Sequence, residues 1–207
     1  MGTNVNSNNN GSLQGTIGKL ENLFDILNAE FYQSKLDRPI ISVHPDTMKA
    51  FGWCSTYHAW VDADGQHGYY EINICADYLN RDFSEIAETM MHEMVHLFNL
   101  SIGVKDCSNH GRYHNAKFRN ACEEHGLNAE KDGSFGYAVT SLNDSAKEFV
   151  DTIDIQFDLY RPKIAKKKAA SPKMHKYVCP ICGQTVRSTK PVHICCADCD
   201  EIMEEEE

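Results

Sequence analysis

Between Phe83 and Ile102 the apolar residues Ile86, Met90, Met94, Leu97 and Phe98 recur at helical spacing, which predicts an amphipathic helix. Asp82 and Glu85 form a capping-box pattern at its start, and Gly103 stands where a left-handed residue ends a helix. An earlier helix is predicted from about Ile17 to Gln33, where Leu20, Leu23, Phe24, Leu27, Phe31 and Tyr32 keep the same period, with Asp37-Arg38-Pro39 as its stop. A further one runs from about Asn115 to His125 and ends at Gly126.

Elsewhere the pattern favours strands. Ile40 to Val43 is a short one. Phe51 to Val61 and Tyr69 to Ile74 flank the turn Asp62-Ala63-Asp64-Gly65 and read as a hairpin. Its edge would either pair with an extended peptide or stand solvated. Ala138-Val139-Thr140 reads as another short strand, and Ser145 to Tyr160 mixes both periods, as a helix passing into a strand. Helices with short strands around them make the fold class α+β.

Composition narrows the class. Hydrophobic residues at 42% and charged residues at 24% of 207 positions suit a globular protein with a real core. No apolar run reaches membrane-spanning length, and the Asn/Gly/Ser-rich start, residues 1–15, reads as a flexible leader.

Charge is unevenly distributed. Residues 1–160 hold 11 Lys/Arg against 23 Asp/Glu, residues 161–176 hold 7 against none, and residues 177–207 hold 2 against 7. The middle stretch, bounded by Pro162 and Pro172, reads as a basic linker that could touch phosphates. An acidic body is otherwise a poor nucleic-acid binder.

The Phe83–Ile102 helix carries His92-Glu93-Met94-Val95-His96. Two imidazoles one turn apart can bind one Zn²⁺, with the glutamate placed to activate water there. Catalytic zinc wants a third protein ligand. His114, directly ahead of the next helix, is the leading donor; His110, Glu123 and Glu124 are rivals. Tyr113, Tyr137 and Arg112 are candidates to stabilise an oxyanion.

Five of nine cysteines crowd into Cys179 to Cys199. Cys179-Pro180-Ile181-Cys182 and Cys196-Ala197-Asp198-Cys199, separated by thirteen residues, match a closed four-thiolate zinc site, with Cys195 as a possible substitute for Cys196. Cys54, Cys75, Cys107 and Cys122 read as small buried hydrophobes in a reducing, cytoplasmic setting.

The His92–His96 motif, His114-Asn115-Ala116-Lys117-Phe118, the opening Leu27-Asn28-Ala29-Glu30-Phe31-Tyr32 and the strand Tyr70-Glu71-Ile72-Asn73-Ile74 together resemble the SprT-like zinc metallopeptidase family. Asn115 departs from that family's usual glycine after the histidine. Composition places the linker at 161–176 and an acidic tail at 202–207; the resemblance implies a minimal zincin fold over residues 16–160 with a zinc ribbon at 177–201. It implies His92, His96 and His114 as ligands of a catalytic zinc, Glu93 as general base, and a second, structural zinc on Cys179, Cys182, Cys196 and Cys199. It also implies protein substrates on or crosslinked to DNA, met in the nucleoid or, in a eukaryotic host, the nucleus, with the linker and ribbon touching DNA and no membrane partner. The competing reading is a non-catalytic adaptor for DNA or protein whose zincs are only structural; Glu93 beside its ligands argues against it.

Overall fold

The structure, a computed structural model, describes residues 11–45, 49–162 and 174–206. The expected leader lies outside the described residues up to position 10, as does the expected linker from 163 to 173. The chain divides into two compact units, residues 1–163 and 164–207.

In the first unit, helix α1 (Leu13–Tyr32) starts earlier than its periodicity predicts, because Ser12 caps it by accepting a hydrogen bond from Gly15 N–H at 3.0 Å. Residues 13–15, expected in the leader, are therefore helical. The helix ends ahead of Asp37-Arg38-Pro39, with Gln33 and Ser34 in left-handed conformations. The side chain of Asn28 then bonds both the carbonyl and the amide of Leu36, at 3.0 and 3.2 Å, and pins the exit loop. Leu20, Leu23, Phe24 and Leu27 are fully buried.

Strands β1 (Ile40–Ser42), β2 (Gly52–Cys54), β3 (Trp60–Val61), β4 (Gly68–Tyr69) and β5 (Glu71–Ile74) follow. The expected single hairpin is two separate ladders. β5 lies between β1, parallel, and β2, antiparallel, while β3 and β4 pair only with each other across the Asp62–Gly65 turn. Every residue of β5 is buried, so it serves as a central strand and leaves the edge to β2.

After a 3₁₀ turn at Ala76–Tyr78 comes helix α2 (Phe83–Ser101). Its capping box is present, with Glu85 Oε2 accepting from Asp82 N–H at 3.2 Å, and Gly103 closes it at φ 69°. Ten of its nineteen residues are buried, because it packs against β2, β5 and helices on other sides.

Next are β6 (Cys107–Ser108), β7 (Tyr113–His114), α3 (Ala116–Glu124), β8 (Leu127–Asp132), β9 (Gly136–Leu142) and α4 (Asp144–Val150). The four strands form one sheet in the order β6-β7-β9-β8. β8 has no apolar alternation, since Leu-Asn-Ala-Glu-Lys-Asp is largely solvated, and it owes its conformation to its antiparallel ladder with β9. Between α4 and residue 162 no strand forms. Ile153, Ile155, Phe157 and Leu159 alternate inward along an extended strap without a ladder partner, which is where the period of two comes from. Lys19 Nζ holds the strap at Gln156 O and Asp158 Oδ2, both at 2.6 Å.

The second unit contains β10 (His175–Val178), β11 (Thr185–Ser188), β12 (Cys195–Cys196), β13 (Glu201–Ile202) and β14 (Glu204–Glu206). β10 pairs with both β11 and β14. The expected acidic tail is thus partly a strand, because Glu205 accepts from His175 Nδ1 at 2.6 Å, Glu206 pairs with Lys176, and Met203 is buried. Likewise His175 and Lys176, expected in the linker, belong to β10. A core this small, centred on Tyr177, Cys179, Cys196 and Met203, gives little burial to stabilise it.

Candidate metal centre

Helix α2 places His92 and His96 one turn apart, and β7 brings His114 against them. His114 Nε2 lies 3.3 Å from His92 Nε2 and 3.2 Å from His96 Nε2. Phe118 of α3, fully buried, forms an apolar floor with ring centroids 4.6 to 4.8 Å from all three imidazoles. Asn115, in place of glycine, sits at φ −91° and caps α3 by accepting from Lys117 N–H at 2.8 Å, while its Nδ2 donates to Lys105 O at 3.0 Å. The departure from the family pattern therefore serves as a helix cap and a loop tie.

Each imidazole also has a partner at its outer nitrogen. His96 Nδ1 faces Asp106 Oδ2 at 2.7 Å, His92 Nδ1 faces Thr140 Oγ1 at 3.2 Å, and His114 Nδ1 faces Phe135 O at 3.4 Å. All three inner nitrogens converge on one point, as in metal sites whose ligand rings are oriented from behind. Zinc–nitrogen bonds of about 2.0–2.1 Å in a tetrahedron require nitrogens about 3.3–3.4 Å apart. The observed separations match that spacing, so the donor set fits a Zn²⁺ ion.

Electrostatics agree. Burial, with repulsion from the other two rings, holds His92 well below the usual histidine range, and burial beside His96 takes His114 to about 4. Both are therefore neutral lone-pair donors at pH 7. Burial pulls His96 down as well, but the hydrogen bond it donates to Asp106 and the charges of Glu93 and Asp106 outweigh it and raise the group.

Glu93 is buried against β2. Gly52 makes this approach possible, since a Cβ there would meet Asn73 O at 2.8 Å, Thr89 Cγ2 at 3.1 Å and Glu93 Cγ at 3.3 Å. Burial lifts the Glu93 carboxyl to about 7, despite the nearby His96 and a hydrogen bond from the Cys54 backbone. A carboxylate with that affinity for protons is suited to general-base work at neutral pH.

The rival ligands stand outside the histidine group. His110 is exposed in a left-handed turn, Glu123 pairs with Arg119 at 3.7 Å, and Glu124 is exposed. Tyr137 receives a hydrogen bond from Arg119 at 3.4 Å, Arg112 is exposed, and Tyr113 precedes His114 on β7, where neighbours face opposite sides. Asp106, Thr140 and the Phe135 carbonyl were not legible from spacing, because each arrives from a loop or strand distant in sequence. Cys75 and Cys122 are buried as expected, whereas Cys54 and Cys107 are only half-buried.

In the second unit Cys179, Cys182, Cys196 and Cys199 gather with their sulfurs within 4.8 Å of one another. Cys182 and Cys196 Sγ are 3.7 Å apart, close to the roughly 3.8 Å edge of a zinc–thiolate tetrahedron with bonds of about 2.3 Å. Cys195 points outward and stays outside the group. Backbone hydrogen bonding from Cys182 draws the Cys179 thiol down to about 7, while bonding with Cys182 and the other thiols pushes Cys199 up to about 12. All four can ionise together only beside a cation, so this set also fits zinc.

Among the described residues no helix is long and apolar enough to cross a membrane. No curated protein and no solved structure matches the chain. Residues 20–133, which hold the three histidines and Glu93, match the SprT-like family, and the chain belongs to that family.

Proposed function

We propose that this chain is a zinc-dependent endopeptidase of zincin type, tethered to a zinc ribbon. The observation that carries this reading is the convergence of His92, His96 and His114 Nε2 beside the buried carboxylate of Glu93. Zinc held there would supply a Lewis acid that makes water acidic enough to lose a proton near pH 7.

The chain's own groups do the rest. Glu93 takes the proton from the attacking water and returns it to the leaving amine as the peptide bond breaks. Its burial makes it a stronger base than an exposed glutamate, at about 7. Asp106 holds the His96 ring with its inner nitrogen bare, which a metal ligand requires. Cys179, Cys182, Cys196 and Cys199 would hold a second zinc whose role is to fold the ribbon.

The proposed substrates are proteins bound or crosslinked to DNA, an inference that rests on family membership. The seven Lys/Arg of residues 161–176 support a salt-sensitive contact with phosphates. Nine cysteines, none of them in a disulfide, suit a reducing compartment.

The test is digestion of one protein presented free and covalently attached to DNA, with and without a zinc chelator. Cleavage that is chelator-sensitive and favours the DNA-attached form is expected. Cleavage indifferent to DNA removes the substrate assignment, and no cleavage with both zincs bound favours the adaptor reading.

A further inference from the structure

The outer nitrogens of the three imidazoles do not have equivalent partners. His96 faces a carboxylate and His114 a backbone carbonyl, and neither of these oxygens can donate a proton at neutral pH. Each forces its ring to carry hydrogen on Nδ1, which in the neutral ring leaves Nε2 bare. His92 faces the hydroxyl of Thr140, which can either donate or accept. If that hydroxyl donated, His92 would carry its hydrogen on Nε2, aimed at the other two rings and unable to bind a metal.

A second bond removes the ambiguity. Thr140 Oγ1 donates its single hydrogen to Glu88 Oε1 at 3.0 Å, so towards His92 it can only accept. Glu88 and His92 stand four residues apart on one face of α2, and Thr140 on β9 reaches both. Burial raises the Glu88 carboxyl above its ordinary value, and the hydrogen bond from Thr140 and the charge of Arg81, whose guanidinium bonds Thr89 Oγ1 at 2.9 Å, act against that rise.

We infer that Glu88, acting through Thr140, sets the tautomer of His92 and so completes the trio of metal-binding nitrogens. Glu88 and Thr140 are positioning residues, two and one hydrogen bonds removed from the ring. Toward zinc this inference rests on the metallopeptidase reading, but the tautomer itself belongs to the metal-free protein. The arrangement also ties the start of α2 to β9, the strand that pairs with β7 beside His114.

The test records proton–nitrogen correlation spectra of the histidine rings in the metal-free full chain, then measures zinc affinity by chelator competition. The wild type should show His92 protonated on Nδ1. Glu88→Ala should move His92 towards the Nε2 form and weaken the more labile zinc by about 10–100-fold. Thr140→Val should weaken it similarly and Thr140→Ser should restore it, which a purely packing role of the threonine methyl would not do. An unchanged His92 tautomer and unchanged affinity in Glu88→Ala would overturn the inference. A wild type that binds no zinc at its histidines overturns the metallopeptidase reading instead, while the ring spectra still decide the tautomer.

Discussion

Asp106 Oδ2 lies 2.7 Å from His96 Nδ1, and the same oxygen accepts from Asn99 Nδ2 at 3.2 Å. The carboxylate is thereby fixed from the end of α2 itself and in turn fixes the ring of His96. Replacing Asp106 with Asn allows its amide to donate to Nδ1 and stabilise the wrong tautomer. Asp106→Asn should lower affinity for the labile zinc by about 10–100-fold, measured by chelator competition, with the ribbon zinc unaffected.

Gly136 stands at φ +70° opposite His114 in the β7–β9 ladder. A Cβ there would collide with the His114 carbonyl. Gly136→Ala should therefore displace His114 and weaken both the fold and the metal site. Thermal unfolding with and without added zinc is the measurement, and a smaller zinc-induced rise in Tm than in wild type is expected.

Asn115, at φ −91°, caps α3 at the position where the family usually has glycine. Asn115→Ala should cost about 1 kcal/mol in denaturant unfolding, and Asn115→Gly only a few tenths from the cap. The second figure grows by whatever the bond to Lys105 O contributes.

Cys182→Ser should leave the ribbon without its metal while the first unit keeps its own core, since the two units are separately compact. Metal analysis should fall by one zinc per chain. Ribbon amides should lose hydrogen-exchange protection while those of α1 and α2 keep theirs.

Much of this was legible in the sequence because local chemistry specified it. The period of Ile86, Met90 and Met94, the Asp82–Glu85 box and Gly103 define α2 without reference to any other element. His114 could be chosen because a helix begins beside it, and the two C-x-x-C pairs carry their own spacing. What stayed hidden depends on long-range pairing. β8 is polar in sequence and extended only through β9, and the strap after α4 alternates like a strand although it joins no ladder among the described residues. Asp106 and Thr140 lie 10 and 48 residues from the rings they hold, distances no periodicity spans.

The central claim is that Glu93 moves a proton beside a histidine-bound zinc. Glu93→Gln preserves shape and removes the base, so zinc content and protein cleavage should be measured together on wild type and variant. The account predicts two zincs per chain in both and cleavage in the wild type alone. Cleavage by the zinc-loaded variant at the wild-type rate would contradict it.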